Sequence, residues 1–207
     1  MCDSDFRETV ASLSKNGMEA EYLETGTALL ERLSELIPLG TTAASGSSET
    51  LTALGVRRML RDRNVPYFDA GDPSLSPEER DRVIRKAFQA DVYLTSAAAV
   101  TKTGELLLVD GTGNRAAALA YEPRHVIMIM GKQKLVEDME GAIRRLRTVA
   151  APQNALRRGK TGLPCAKIGA CANCRHPLRM CCYFLKIGFV RSPGRIRVLL
   201  VGEEAGF

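Results

Sequence analysis

The chain has 207 residues, of which 45% are apolar, so it is long enough and apolar enough to bury a core and does not have the composition of a disordered protein. Its net charge is +5 at pH 7, but that charge is divided unevenly. Residues 1–140 carry 16 basic and 22 acidic side chains, whereas residues 141–207 carry 13 basic and 2 acidic ones. The C-terminal part therefore needs negative charge nearby, from phosphate, a carboxylate, an acidic partner, the acidic N-terminal part or its own thiolates.

The sequence lacks the patterns of export and of membrane insertion. Residues 1–8 are acidic and lack the apolar core of a secretory signal, and the uninterrupted apolar runs, such as 126–130 and 198–201, are far shorter than a membrane span. We therefore expect a cytoplasmic protein with reduced thiols and no membrane span. In such a protein clustered cysteines indicate metal binding or redox chemistry before disulfides, and Cys2 is expected to be a free thiol.

Helix-like and strand-like segments alternate through the first 150 residues, which predicts an α/β fold with a mostly parallel sheet and helices on both faces. The predicted helices are 5–15, 27–36, 49–61, one that begins after Ser76-Pro77, and 135–149. The predicted strands are 19–23, one within 40–48, 66–69, 91–95, 105–109 and 125–130, followed by 183–190 and 195–201. We expect residues 1–150 to form the α/β body and residues 151–207 a small, basic, cysteine-bearing segment with two strands, packed on the same domain.

Three loops that follow predicted strands have the composition of ligand-binding loops. In an open parallel α/β sheet, ligands bind outside the carboxyl ends of the strands, where backbone N–H groups, hydroxyls and a forked arginine can hold an anion. Each loop alone is also ordinary turn chemistry, but their joint placement favours a site for a small anionic metabolite. The predicted ligand-binding residues are Ser45, Gly46, Ser47, Ser48, Thr95, Ser96, Gly111, Gly113, Asn114 and Arg115.

Two acidic residues lie close to these loops. Either Glu105 or Asp110 is a candidate general base, the alternative being a solvated or helix-capping carboxylate. Neither the phosphate-loop pattern G-x-x-x-x-G-K-[ST] nor the dinucleotide fingerprint G-x-G-x-x-G occurs, so the sequence predicts no nucleotide cofactor.

Four cysteines of the C-terminal segment have the spacing C-x5-C-x2-C-x6-C, which predicts a single metal site. An iron–sulfur cluster and a tetrahedral zinc ion both use four thiolates, and the spacing leaves both open. The alternative is a set of reduced, partly buried cysteines or a labile disulfide. The predicted ligands are Cys165, Cys171, Cys174 and Cys181.

An ordered series of motifs along the chain resembles the lactate-utilisation (LUD) domain family, in its four-cysteine subgroup. The motifs are TSAAAVT at 95–101, GEL at 104–106, VDGTGNR at 109–115, the strand at 126–131 with Lys134, AAPQN at 150–154, Pro164-Cys165 with the cysteine series, and residues 196–207. The resemblance implies a fold similar to that of glucosamine-6-phosphate deaminase, ribose-5-phosphate isomerase and the CoA transferases. It also implies a role in oxidation of lactate to pyruvate, alongside iron–sulfur or oxidoreductase partner proteins.

Three functional hypotheses follow. The first is an accessory or redox-associated protein of lactate or related organic-acid utilisation that binds a small anion at the strand-end loops. The second is an isomerase or transferase acting on a phosphorylated or carboxylated metabolite. The third is a nucleic-acid-binding regulator with a zinc knuckle, which the scarcity of aromatic residues among the basic residues of the tail disfavours.

Overall fold

The computed structural model describes residues 3–207, so the predicted free thiol of Cys2 lies outside the described part. The helices are α1 (Asp3–Lys15), α2 (Gly26–Leu36), α3 (Glu49–Ala53), α4 (Val56–Asp62), α5 (Pro77–Ala87), α6 (Asn114–Ala120), α7 (Met139–Arg145), α8 (Ala151–Arg157) and α9 (Pro164–Ile168). The strands are β1 (Glu19–Leu23), β2 (Ala43–Ser45), β3 (Tyr67–Asp69), β4 (Val92–Thr95), β5 (Ala99–Thr101), β6 (Leu106–Asp110), β7 (His125–Gly131), β8 (Leu135–Val136), β9 (Tyr183–Ile187) and β10 (Ile196–Val201).

Six strands form a parallel sheet in the order β1-β10-β7-β4-β2-β3, which confirms the predicted α/β fold. The strand β7 shows why its sequence is a continuous apolar run. Val126, Met128 and Met130 pack into the core on one face of the sheet, and Ile127 and Ile129 pack into the core on the other. A strand that is buried on both faces has no solvent-exposed side to carry polar residues.

Helices cover both faces of this sheet. The helices α2, α3 and α4 pack on the face that carries Ile127, through residues such as Leu33 and Leu60. Residues of α1, α5 and α6 join the core on the opposite face, together with one side of a second sheet. This second sheet has the order β8-β5-β6-β9 and is mixed, with β5 and β9 antiparallel to β6. Its other side packs against α7 and the turn that follows it.

The segment beyond residue 150 contributes to both sheets. Strand β10 lies between β1 and β7 in the parallel sheet, and β9 pairs with β6 in the mixed sheet. The two strands predicted for this segment therefore form. The division of the chain at residue 150 stays a prediction.

The predicted helix 135–149 begins later and continues further than expected. Leu135 and Val136 pair with β5 as a short strand, and the helix starts after Asp138, whose carboxylate accepts a hydrogen bond from the N–H of Gly141. A π-helical turn, Leu146–Ala150, then joins α7 to α8. Residues 151–154, expected to lie beyond the last helix of the body, form the start of α8.

Two other helix predictions have different outcomes. The predicted helix 49–61 is divided into α3 and α4 at Gly55, whose φ of 71° lies in the left-handed region. The start of α5 is confirmed. Ser76 accepts a hydrogen bond from the N–H of Glu79, and the Glu79 carboxylate accepts one from the N–H of Ser76, which is a capping box.

Within residues 3–207, no helix combines the length and the apolar character that crossing a membrane requires.

Candidate functional site

A cavity of about 580 Å³ opens where the carboxyl ends of the parallel strands face the mixed sheet. One wall consists of the residues that follow β2, β4 and β7, among them Ser48, Ser96 and Lys134. The end of β6 and the loop after it, around Asp110 and Arg115, form a second wall, and residues of α8 form a third. The site therefore lies at the edge of the sheet where open α/β folds bind ligands.

The three predicted loops meet at this cavity, although not every predicted residue lines it. The predicted ligand-binding residues that do are Gly46, Ser47, Ser48, Ser96, Gly111, Asn114 and Arg115. The other three lie elsewhere. Ser45 is buried and shares a hydrogen bond of 2.6 Å with the hydroxyl of Tyr67, Thr95 is buried at the end of β4, and Gly113 packs against the ring of Tyr183.

The loop after β2 needs a glycine at position 46. A Cβ atom there would lie 2.9 Å from Cγ and Cδ of Arg115 and 3.0 Å from the hydroxyl oxygen of Tyr93. The carbonyl of Gly46 accepts a hydrogen bond of 2.7 Å from Arg57, which is buried and ion-paired with Asp69. The glycine thus lets Arg115 lie directly against the loop, and the buried ion pair holds the loop in place.

The carboxylate of Asp110 accepts hydrogen bonds from the backbone around it. One oxygen accepts a hydrogen bond of 2.8 Å from the N–H of Gly111, and the other accepts bonds of 2.8 and 3.2 Å from the N–H groups of Arg115 and Ala116. The guanidinium of Arg115 lies 3.4 Å from the first oxygen. These bonds make Asp110 an anchor for the start of α6 and for Arg115. Its role as a general base stays a prediction.

Glu105, the other candidate base, is not among the residues that line the cavity. It precedes β6, at the end opposite Asp110, and forms an ion pair of 2.6 Å with Lys186 of β9. The structure therefore does not bring the two candidate acids together.

Most of the charged side chains of the cavity wall are basic. Of the described residues that line it, seven are basic and two, Glu49 and Asp110, are acidic. The basic residues are Arg80, Arg115, Lys134, Arg157, Arg158, Lys160 and Arg179. Only Arg115 was predicted as a ligand residue. The uneven charge of the sequence was the available signal for four of the other six, because those four belong to the basic C-terminal segment.

Arg157 is held at the cavity wall by several contacts. Its guanidinium donates hydrogen bonds to Ser47 Oγ at 2.9 Å and Asn154 Oδ1 at 2.8 Å, and lies over the ring of Phe207, 5.7 Å from its centre. Glu49 is 3.7 Å away, a distance at which an ion pair compensates the charge weakly. Burial lowers the pKa of Arg157, and the neighbouring Arg158 lowers it further. Both effects indicate that the guanidinium of Arg157 is partly desolvated and lies near other positive charges.

Lys134 lies at the buried side of the cavity and is only 2% exposed. Its Nζ donates hydrogen bonds to Thr50 Oγ1 at 2.7 Å, Ser96 Oγ at 3.0 Å and the carbonyl of Ala97 at 3.2 Å. Within residues 3–207 it forms no ion pair. Burial, with smaller contributions from the charges of Arg145 and Arg115, lowers the pKa of Lys134 to about 7. A buried lysine without a carboxylate partner is a functional candidate that the sequence analysis missed.

The four predicted metal ligands line a second, smaller cavity of about 40 Å³ beside the first. Cys181 belongs to both walls, and burial followed by the nearby thiols raises its pKa to about 11. Arg179 closes the cysteine loop by donating hydrogen bonds to the carbonyls of Cys174 and Cys181. In the described part of the chain, however, no three His, Cys, Asp or Glu side chains are arranged to hold a metal ion.

The fold is that of an α/β protein with a cavity at the carboxyl ends of its parallel strands. The chain belongs to the LUD domain family, whose model matches residues 6–201 and which is associated with lactate utilisation. A crystal structure of a DUF162 family protein from Deinococcus radiodurans is similar in fold, with a TM-score of 0.52, 16% sequence identity and 96% of each chain covered. No curated protein matches the sequence.

Proposed function

We propose that the cavity binds a small anionic metabolite, a carboxylate or phosphate compound used in lactate or related organic-acid metabolism in the cytoplasm. The observation that supports this most strongly is the excess of positive charge on the cavity wall. The two acidic residues there, Glu49 and Asp110, can compensate only two of the seven basic ones. An anionic ligand would supply the missing negative charge.

The electrostatic coupling among the arginines supports the same proposal. Burial lowers the pKa of Arg158 first, and the positive charges of Arg80 and Arg115 lower it further. Arginines contributed by α5, α6 and the end of α8 are therefore within electrostatic reach of one another. Like charges held together in a partly desolvated cavity repel, and binding of an anion between them relieves that repulsion.

The size of the cavity supports a metabolite rather than a macromolecule. Its volume of about 580 Å³ lies inside the range of about 300–1,000 Å³ that is common for small-molecule sites. Four basic residues of the C-terminal segment line this cavity, so their charges act inside it. This arrangement favours the small-ligand hypothesis over the nucleic-acid hypothesis.

Calorimetric titration of the full chain with lactate, pyruvate, inorganic phosphate and ribose 5-phosphate tests this function. We expect at least one of them to bind, and Arg157→Gln to weaken its binding about tenfold or more. Arg58→Gln is the matched control, because the side chain of Arg58 is 86% exposed and pairs only with Asp62 on the surface of α4. If none of the four anions binds, or if both variants bind them as the unsubstituted protein does, the proposal fails.

We also retain a metal or iron–sulfur cluster at Cys165, Cys171, Cys174 and Cys181 as a proposal. Its support is the spacing of the four residues and the single small cavity that they line. The identity of the group, iron–sulfur or zinc, is left open by four thiolates. The anion site does not depend on it.

A further inference from the structure

We propose that Ser96 and Lys134 form a nucleophile and general-base pair, which transfers the acyl group of an ester or thioester whose acid carries a second, anionic group. This inference deepens the proposed function, because the anionic end of the substrate would occupy the site proposed above. The hydrogen bonds around Lys134 support the pair itself.

Lys134 is held in place by three acceptors. Besides the bond to Ser96 Oγ at 3.0 Å, its Nζ reaches Thr50 Oγ1 at 2.7 Å and the carbonyl of Ala97 at 3.2 Å. The hydroxyl of Thr50 donates its own proton to the carbonyl of Ala205, so it accepts from the lysine. Thr50 therefore orients the amine, in the way that a third group orients the base of other nucleophile–base pairs.

The hydroxyl proton of Ser96 has one good acceptor. Its other neighbours are the carbonyl of Ala97 at 3.5 Å and the sulfur of Met130 at 3.7 Å, both long for a hydrogen bond from a hydroxyl. A neutral Lys134 amine donates its two protons to Thr50 and Ala97 and directs its lone pair at Ser96 Oγ, 3.0 Å away. This is the arrangement in which an amine withdraws a proton from a serine.

The surroundings of Lys134 favour the neutral amine. The charged groups that act on it are the guanidinium groups of Arg145 and Arg115. Arg145 is fixed by hydrogen bonds to the carbonyls of Gln133 and Ala98. Burial of Lys134 is the largest effect and the positive charges of the two arginines add to it, so the amine loses its proton near neutral pH.

The reaction balances without a cofactor. The hydroxyl proton of Ser96 moves to Lys134 as Oγ forms a bond to the acyl carbon, and the carbon–sulfur or carbon–oxygen bond then breaks. The leaving thiolate or alkoxide takes the proton from the Lys134 ammonium. Water, activated by the regenerated amine, hydrolyses the acyl-serine, releases the acid and restores Ser96. The arginines of the cavity supply positive charge for the anionic group of the substrate.

A fluorophosphonate probe that reacts with activated serines tests the pair. Peptide mapping of the labelled full chain should place the adduct on Ser96, and Lys134→Met should slow labelling about 100-fold or more. Lys132→Met is the matched control, since Lys132 is exposed and lies two residues away; it should label at the unsubstituted rate. An unlabelled Ser96 in the unsubstituted protein, or equal labelling in Lys134→Met, overturns the proposal.

The pH profile of labelling gives a second test that needs no variant. The rate should rise through about pH 7, where Lys134 loses its proton, and should level off at higher pH. A rate that keeps rising in proportion to hydroxide overturns the base role. The probe is neutral, so its reaction does not require the anion site. Failure of labelling with intact anion binding would remove the pair alone, and labelling without anion binding would remove the proposed function alone.

Discussion

Nζ of Lys134 lies 3.0 Å from Oγ of Ser96, although the two residues are 38 positions apart in the chain. Their proximity follows from the sheet. Strands β4 and β7 are parallel neighbours, with Thr95 paired to Met128, so the residues that follow the two strands emerge at the same edge. The same topology brings the loop after β2 to that edge. The parallel order of three strands thus builds the wall of the cavity.

The buried Lys134 predicts a specific pH dependence of stability. Its pKa is about 7 in the folded chain and ordinarily 10.5, so between these values the unfolded chain binds one more proton than the folded chain. The free energy of unfolding therefore rises with pH across this window, by up to about 1.4 kcal/mol per pH unit from this group. Urea unfolding at pH 7.5 and 9.5 should show this rise, and Lys134→Met should lack it.

The control for this prediction is Lys132→Met, which should keep the rise because Lys132 is exposed. Groups other than Lys134 also titrate, but they titrate equally in both variants, so the difference between the two variants isolates Lys134. The same slope in Lys134→Met and Lys132→Met would show that the amine of Lys134 keeps its ordinary pKa in the folded protein.

The buried ion pair behind the Gly46 loop predicts a large effect of Asp69→Asn. The side chains of Arg57 and Asp69 are 9% and 10% exposed, and removal of the carboxylate leaves a buried guanidinium without its counter-charge. We expect a loss of about 3–5 kcal/mol in the free energy of unfolding. Asp62→Asn, which breaks the exposed pair of the same helix with Arg58, should cost less than about 1 kcal/mol. Similar losses in the two variants would contradict this account.

Gly46→Ala should weaken both anion binding and the fold. The new methyl group would lie 2.9 Å from the side chain of Arg115 and would displace it from the cavity wall. We expect several-fold weaker binding in the calorimetric titration, with a stability loss of about 1–3 kcal/mol from overpacking. Gly162→Ala is the matched control, because a Cβ there meets nothing within 4 Å. Unchanged binding in Gly46→Ala would show that Arg115 does not contribute to the site.

The cysteine proposal predicts metal in the purified protein. After anaerobic purification we expect zinc, or iron with sulfide, and the iron form should absorb visible light through thiolate-to-iron charge transfer. Cys174→Ser should lower the metal content. Cys182→Ser should not, because Cys182 is exposed and is not among the residues that line the small cavity. Metal-free protein in which every thiol reacts with a thiol reagent would remove this proposal.

The sequence predicted which loops meet at the cavity better than it predicted which charged side chains line it. Strand-end loops can be found because parallel strands bring their carboxyl ends to one edge, and this general rule placed Ser96 and Arg115 correctly at the cavity. The local pattern could not show that Lys134 is buried and Lys132 exposed, because a single 3₁₀ turn, Lys132–Lys134, decides which of the two lysines is buried.

Residues far apart in the chain explain the remaining differences. Arg157 reaches Ser47, 110 positions away, and no local pattern predicts such a contact. The start of the helix predicted from residue 135 was wrong because Leu135 and Val136 pair with β5, a strand of three residues that the pattern did not reveal. Tertiary pairing overrides local helix preference at this point.

A crystal structure of the full chain with a bound anion, pyruvate or a sugar phosphate at saturating concentration, tests the central claim most directly. We expect the carboxylate or phosphate group to lie inside the cavity of about 580 Å³, in contact with Arg157 or Arg115. An anion that binds on the outer surface while this cavity holds only water would contradict it.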